Sequence, residues 1–315
     1  MATYIARRLL YVVPVVILVS ILVFSLLHLA GGDPAVMMLG AEATPEDIAR
    51  LHTEMGLDRP LYEQYLTWLG RVARGDLGRS IHPTRFYVSD LILQRLPVTL
   101  QLGLQAMILS LITGIPIGVM AGRKRGSRWD LLALNLSAFG ISMPGFLLGL
   151  VLIFVFSLWL RWVPPSGYLP PLKDPIGNLR LMILPTVTMS AFLFAFVVRM
   201  TRSSVVEAMS QEFIITARAK GLGELLVVRR HALKVALIPV VTIVGLQLGH
   251  VLGGSVIVEY IFALPGLGKL TIDAVYARDF PVVQGTILVM SVGFVLVNLA
   301  VDLIYGYLDP RIKYH

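Results

Sequence analysis

Long uninterrupted apolar stretches dominate the chain and determine its predicted architecture. A helix that crosses the hydrocarbon core of a bilayer needs about 20 residues without costly charges. Six stretches between consecutive ionised residues approach or exceed that length, and a soluble protein with six of them would have no surface left to expose. The pattern therefore predicts an all-α integral membrane protein with six transmembrane helices. The stretches are Leu9–Gly32, Leu96–Gly122, Leu131–Leu160, Leu181–Val198, Val235–Val258 and Phe280–Val301.

Three stretches have features that modify this prediction. The third contains Ser142-Met143-Pro144-Gly145, where proline removes a helix hydrogen bond and glycine weakens the next turn, so a kink or tilted start is expected. The fourth is the shortest, and its helix is predicted to begin at about Pro185 and to continue past Arg199. The first could be a cleaved signal peptide, but its 19-residue run Leu9–Leu27 exceeds a signal core of about 7–15 residues and no A-x-A site follows.

Basic residues predict the orientation in the membrane. They gather before the first stretch, between the second and third, and between the fourth and fifth, which lie on one side by parity. Because Lys and Arg concentrate in cytoplasmic loops, both termini are predicted to be cytoplasmic. The loop 33–95, with seven arginines and nine carboxylates, is then outside. The basic residues are Arg7, Arg8, Arg123, Lys124, Arg125, Arg128, Arg199, Arg202, Arg218, Lys220, Arg229, Arg230 and Lys234.

The long outer loop is predicted to be structured. Thr44 is a candidate N-cap, with Pro45 at the first helical position and Gly56 as the stop. A second amphipathic stretch, Tyr62–Val72, ends near Gly75. Two interpretations stay open: a small cap on the outer mouth of a pathway, or a docking surface for an external partner.

The cytoplasmic segment between the fourth and fifth stretches predicts a helix, an elbow and another helix. Thr201–Lys220 can be helical, Gly221-Leu222-Gly223 interrupts it, and Glu224–Lys234 leads into the fifth stretch. Such an elbow suits transmission of movement from a soluble partner, because a rigid lever attached to two spans moves both. The alternative is an ordinary basic connector on an anionic inner leaflet.

Composition agrees with the membrane class. Hydrophobic residues make up 56% of the chain and charged residues 15%, against about 25% charged in an average soluble domain. The absence of cysteine excludes disulfides, thiolate metal sites and thiol catalysis. The excess of 27 Lys+Arg over 19 Asp+Glu could indicate nucleic acid, but membrane proteins gather basic residues on their cytoplasmic face, so no nucleic-acid partner is expected.

No motif for an energy source is evident in the chain. The nearest match to the phosphate-binding pattern G-x-x-x-x-G-K-[ST] runs from Ala263 to Leu270 and fails at both of these positions. It also falls in an external loop, so an ATPase must be a separate chain. The stretches contain His28 and His250 but no mid-depth carboxylate, which disfavours an ion-coupled carrier. Catalytic residues and a metal site are predicted to be absent.

The fifth stretch has the polarity expected of a pathway wall. Gln247, His250 and Ser255 are candidate pathway-lining residues. The glycines of the same stretch repeat at near-helical spacing, which indicates close packing of helices. They are Gly245, Gly249, Gly253 and Gly254.

Distinctive short strings occur from end to end of the chain. They are Arg7-Arg8-Leu9, Gly32-Asp33-Pro34, Gly56-Leu57-Asp58-Arg59-Pro60, Gly75-Asp76-Leu77-Gly78, Leu96-Pro97-Val98-Thr99-Leu100, Arg199-Met200-Thr201-Arg202, Thr216-Ala217-Arg218-Ala219-Lys220-Gly221-Leu222, Arg230-His231-Ala232-Leu233, Pro265-Gly266-Leu267-Gly268, Arg278-Asp279-Phe280-Pro281-Val282-Val283-Gln284 and Asp309-Pro310-Arg311-Ile312. Together they resemble the membrane permeases of ATP-binding-cassette (ABC) importers, in the dipeptide, oligopeptide, glutathione and nickel family.

The resemblance implies a type I ABC importer permease fold in a bacterial or archaeal cytoplasmic (inner) membrane. It also implies four kinds of partner: a second homologous permease, two cytoplasmic ATP-binding subunits that carry ATP and Mg, an extracytoplasmic substrate-binding protein, and membrane lipid. This chain itself would bind no cofactor. Its implied parts are residues 1–95 (first helix and outer loop), 96–305 (five-helix core with a coupling loop at about 201–234) and 306–315 (cytoplasmic tail).

The resemblance also implies site residues. The leading glutamate of the wider coupling motif aligns with Ile215, and the interval from Gly221 to Pro239 is longer than in sugar importers. Candidates for docking the binding protein are Asp33, Asp58, Arg59 and Asp76. The ATPase-coupling residues would be Glu212, Phe213, Thr216, Ala217, Arg218, Ala219, Lys220, Gly221 and Leu222.

Short peptides are the first expectation for the ligand, with glutathione and chelated nickel as alternatives. An ion-coupled secondary carrier is the competing function from another class, and a membrane enzyme or assembly scaffold is a third.

Overall fold

A computed structural model describes residues 2–29, 34–39, 44–81 and 86–308, with most of their side chains. Within these residues the fold is helical and has no strand, which confirms the all-α prediction. Two π-helical turns, Ile153–Trp159 and Val228–Ala232, continue α7 and precede α11. The α-helices are α1 (Ala2–Leu29), α2 (Pro34–Leu39), α3 (Pro45–Met55), α4 (Leu61–Val72), α5 (Val88–Arg123), α6 (Arg128–Ser142), α7 (Gly145–Leu152), α8 (Pro175–Met209), α9 (Glu212–Ala219), α10 (Glu224–Val227), α11 (Leu233–Ile261), α12 (Leu267–Tyr276) and α13 (Phe280–Leu308).

Several helices are long and apolar enough to cross a membrane. Among the described residues these are α5, α8 and the part Phe280–Val301 of α13, and the bent pair of α6 and α7 adds a fourth if it counts as one span. Helix α1 contains the shorter apolar run Leu10–Ser25, and α11 has 29 residues. The multi-pass character is therefore confirmed, while the number of six spans stays a prediction.

The irregularity predicted in the third stretch is a break between two helices. Helix α6 ends at Ser142, α7 begins at Gly145, and their axes differ by 105°. Met143 is extended, as expected for a residue that precedes proline, and Pro144 has no N–H to continue the helix. The kink or tilted start expected at this site is thus a complete break between two helices.

Helix α8 begins earlier than predicted and, as predicted, continues past Arg199. It starts at Pro175, where the Asp174 carboxylate accepts the Gly177 N–H at 2.8 Å, and Pro185 lies inside it. The predicted start at Pro185 was therefore wrong, because an N-cap followed by proline at the first helical position was the stronger signal. The single helix predicted for Thr201–Lys220 was also wrong: α8 ends at Met209, and Ser210 and Gln211 separate it from α9.

Packing divides the chain into two compact units. The first contains Thr99–Leu264 and the described residues 296–308. Helix α8 is its central helix, since 61% of its most apolar 18-residue segment is buried. Helices α6, α7 and α11 pack against α8. Three glycines of α5 allow the α8 backbone to approach closely: a Cβ on Gly118 would lie 2.6 Å from the Thr201 Cβ. The three are Gly114, Gly118 and Gly122.

The second unit contains Ala2–Val98 and Pro265–Val295. The predicted cap of α3 is confirmed: Thr44 Oγ1 accepts the Asp47 N–H at 3.2 Å, and Gly56 closes the helix with φ +69°. Helix α4 packs on α1. The centroid of the Phe24 ring lies 5.5 Å from that of Tyr65 and 5.7 Å from that of Trp68. These contacts fix α4 on the C-terminal part of α1.

Candidate functional site

Helix α9 is anchored through a small apolar cluster in the first unit. Ile214 and Ala217 point inward from α9 and are buried. They pack with residues from α8, α10, the π-helical turn and α11, and Val119 of α5 lies against the same cluster. We call this set the coupling cluster: Val205, Ala208, Ile214, Ala217, Val227, Ala232 and Ala236. These elements share one core, so α9 is packed against the ends of the long helices α8 and α11.

The opposite face of α9 is exposed. Phe213 is 40% exposed and Ile215 is 60% exposed. Ala217 is buried and Leu222 packs against the coupling cluster, so these two predicted coupling residues contribute packing. The other predicted coupling residues face outward: Glu212, Phe213, Thr216, Arg218, Ala219, Lys220 and Gly221.

The elbow after α9 depends on Gly221. Its φ of +77° lies in the left-handed region, which is unfavourable for every residue that has a Cβ atom and therefore favours glycine. The Gly221 N–H donates to the Arg218 carbonyl at 2.9 Å, and the Leu222 N–H donates to the Ala217 carbonyl at 3.4 Å. This is the glycine termination that the sequence predicts for the end of this helix.

An ion pair spans the elbow from α9 to α10. Arg218 Nε donates to Glu224 Oε2 at 3.1 Å, and Arg218 Nη2 donates to Glu224 Oε1 at 2.8 Å. These hydrogen bonds hold the pKa of the Glu224 carboxyl below its ordinary value. Both side chains are nearly half exposed, so the pair orients the elbow more than it stabilises the fold.

We expect this pair to give a small, pH-dependent stabilisation. The folded-state pKa of Glu224 is lowered, so the contribution is present above the unfolded-state pKa and is lost as the pH falls through the folded-state pKa. Glu224→Gln should therefore lower the thermal stability slightly at pH 7, and the difference from wild type should vanish in acid. Glu212→Gln, which removes an exposed carboxylate of α9, is the matched control. A difference that persists undiminished below the carboxyl pKa range would contradict the assignment.

Sequence reasoning missed a buried ion pair beside this segment. Asp130, at the start of α6, is 2% exposed and receives both Nε and Nη2 of Arg202 in α8, the latter at 2.8 Å. Its carboxylate also accepts the Gly126 N–H at 2.8 Å. The preceding Ser127 caps α6 by accepting the Asp130 N–H. Asp130 thus ties the turn between α5 and α6 to α8, a few residues before the coupling cluster begins.

Two of the three predicted pathway-lining side chains can be placed. Gln247 is 8% exposed. Together with Ser110 and Phe196 it borders a cavity whose volume, about 10 Å³, is about what one water needs. Ser255 is fully buried. The side chain of His250 lies outside the described residues. Lining of a pathway by this set stays a prediction.

The predicted docking residues belong to the second unit. Asp33 lies outside the described residues, and Asp58, Arg59 and Asp76 are exposed. Arg59 and Asp76 line the same cleft, which has a volume of about 430 Å³ and also receives Arg71 and Arg79. We call it the arginine cleft. Arg71 and Arg79 were not selected from the sequence, because only the folded cap brings α4 beside the loop that follows it.

Comparisons with known proteins decide the family. Residues 114–314 match the inner membrane component of binding-protein-dependent transport systems, and residues 1–103 match the N-terminal part of such membrane components. The chain belongs to this family. It is the permease subunit of an ABC importer. Members of this family are membrane permeases and not enzymes.

Relatives match over their entire length. A protein of Brucella abortus (strain 2308) named as a peptide transport system permease is 42% identical over 314 residues, covering 100% of both chains. The glutathione transport system permease protein GsiC of Escherichia coli (strain K12) is 41% identical over 315 residues, again covering 100% of both. The resemblance expected from the sequence strings is therefore confirmed.

Solved structures confirm the fold. A chain of the MetNI methionine ABC transporter in an inward-facing conformation superposes with a TM-score of 0.57, at 18% identity, over 70% of this chain and 96% of that one. An amino acid ABC transporter gives a TM-score of 0.51 at 17% identity, over 71% of this chain and 95% of that one. The all-α fold of ABC importer membrane subunits is thus shared despite low identity.

Proposed function

We propose that this permease subunit forms half of the translocation pathway for short peptides. The observation that carries the proposal is the end-to-end identity of 42% with a relative named as a peptide transport permease. Glutathione, itself a small peptide, is the second candidate, because the 41% identity to GsiC is nearly as high. Six membrane spans, cytoplasmic termini and a location in the cytoplasmic membrane complete the proposal.

The proposed assembly contains a second homologous permease, two cytoplasmic ATP-binding subunits with their ATP and Mg, and an extracytoplasmic binding protein. In the proposed domain organisation, residues 1–95 form the first helix and outer cap, 96–305 form the core, and 306–315 form the tail. The outward-facing residues of α9 and the elbow are the proposed contact with the ATPase. Phe213 and Ile215 support this, because exposed apolar side chains on a cytoplasmic helix favour burial by a partner.

In the proposed mechanism, ATP binding brings the two ATPases together and moves α9. The coupling cluster carries this displacement into α8 and α11, so that the translocation pathway opens outward, and hydrolysis reverses the change. A few kcal/mol of differential binding between the two conformations is enough to shift their populations. The bidentate pair of Arg218 and Glu224 keeps the elbow angle fixed while force passes through it.

Uptake by cells lacking the gene for this chain tests the ligand. Dipeptide uptake should be lost on deletion and restored by the wild-type gene, whereas glutathione uptake should be unchanged. In parallel, the binding protein that copurifies with the tagged permease should release peptides detectable by mass spectrometry. Restoration of glutathione uptake alone would favour the second candidate, and restoration of neither would remove the peptide assignment.

A further inference from the structure

The arginine cleft is built by one face of α4 and the loop that follows it. Four α4 residues that line it recur at helical spacing, so a single face of the helix points into the cleft. They are Gln64, Thr67, Trp68 and Arg71. Gly78 and Ile81, from the loop that follows α4 in the same compact unit, also line it. The volume of about 430 Å³ lies within the range of about 300–1,000 Å³ that is typical of small-ligand sites.

Positive charge predominates in this cleft. Three arginines face one carboxylate, and Asp76 Oδ1 already accepts the Gly78 N–H at 2.9 Å. Arg79 is held in place because its guanidinium stacks 4.4 Å above the Tyr87 ring. Within the described part of the chain, the side chains of Arg59 and Arg71 have no carboxylate partner. The charge of the described lining therefore favours an anionic ligand.

The cleft also offers apolar surface. Phe24 and Trp68 contact each other in its wall, and Leu57 and Ile81 add aliphatic area. Gln64 is fixed by hydrogen bonds from its amide nitrogen to the carbonyls of Leu57 and Arg59, at 3.1 and 2.8 Å. A ligand that fits this surface has a carboxylate beside an apolar or amide-containing body.

We propose that the arginine cleft binds short peptides through their carboxylate. Guanidinium groups recognise carboxylates by paired N–H donors, which gives both strength and orientation. This inference rests on the proposed function, because the ligand class is the one assigned to the importer and the cleft is extracytoplasmic only in the predicted topology. The cleft would concentrate peptide at the outer surface of the permease.

Trp68 supplies a direct readout of occupancy. The chain has four tryptophans, and the other three are exposed, so Trp129→Phe, Trp159→Phe and Trp162→Phe together leave Trp68 as the reporter. The full-length chain is placed in phosphatidylcholine nanodiscs, and its emission is followed while alanyl-leucine or alanyl-leucinamide is added. We expect a saturable change with the dipeptide and at least tenfold weaker binding of the amide, which lacks the carboxylate.

Arginine variants locate the effect. Arg59→Gln with Arg71→Gln should weaken dipeptide binding at least tenfold, whereas Arg74→Gln, an exposed arginine that does not line the cleft, should leave it unchanged. Equal thermal unfolding of the variants establishes that they are folded. Equal binding of dipeptide and amide, or undiminished binding by the double variant, would overturn the proposal.

Nanodiscs that contain phosphatidylglycerol separate the peptide from a lipid phosphate. If anionic lipid alone produces the Trp68 change and prevents the peptide response, the cleft is a lipid site and the proposal is wrong. The uptake experiment is independent: dipeptide uptake without cleft binding removes only this inference, whereas cleft binding without dipeptide uptake removes the proposed function.

Discussion

Gly221→Pro is expected to abolish ligand uptake while leaving the chain inserted in the membrane. Proline fixes φ near −65°, whereas the elbow holds Gly221 at +77°, so the observed turn is unattainable. The substitution also removes the N–H that donates to the Arg218 carbonyl. Helix α9 would then lose its fixed relation to α10, and movement of α9 would no longer reach α11.

Two alanine variants make the test quantitative. Gly221→Ala should reduce uptake less than proline does, because a side chain in the left-handed region costs about 1–2 kcal/mol. Gly223→Ala is the matched control, since Gly223 has φ −62° and no atom lies within 4 Å of its added Cβ. Uptake is measured at equal permease levels in the membrane fraction. Normal uptake by Gly221→Pro would show that the elbow does not act as a lever.

Local signals in the sequence were sufficient for features within a few residues of one another. Thr44 and Gly56 bound α3 as expected, and Gly221 forms the predicted elbow. The start of α8 also had a local signal, Asp174-Pro175, but the apolar pattern around Pro185 outweighed it. A proline inside a helix can be accommodated when the surrounding packing fixes the chain, and hydropathy alone does not reveal that packing.

Contacts between distant residues had no signal in a single sequence. The α6–α7 break could be located from Pro144, but its angle of 105° depends on what the two helices pack against. Ser127 and Asp130 have the spacing of a helix start, yet Arg202 lies 72 residues further on. The arginine cleft likewise depends on how the cap folds: Arg59 and Asp76 were selected for docking, but Arg71 and Arg79 were not.

Arg202→Leu is expected to destabilise the permease by about 3–5 kcal/mol, because it leaves the buried Asp130 carboxylate without its counter-ion. Asp130→Asn should lower the stability less. The asparagine amide has the shape of the carboxylate and can accept the Gly126 N–H, and the partly exposed Arg202 side chain can reach water. The double variant, with no uncompensated charge, should recover part of the loss. Thermal unfolding of the purified permease measures all three.

The control for this cycle is an exposed ion pair of the same chain. Lys269 and Asp273 are one turn apart in α12, with side chains 30% and 52% exposed, so Lys269→Gln should cost less than about 1 kcal/mol. Since Asp130 and Arg202 join the α5–α6 turn to α8 next to the coupling cluster, Arg202→Leu should also lower uptake per folded molecule. If the single variants were as stable as the Lys269 control, the buried pair would have no structural role. The connection between the α5–α6 turn and α8 would then depend on apolar packing alone.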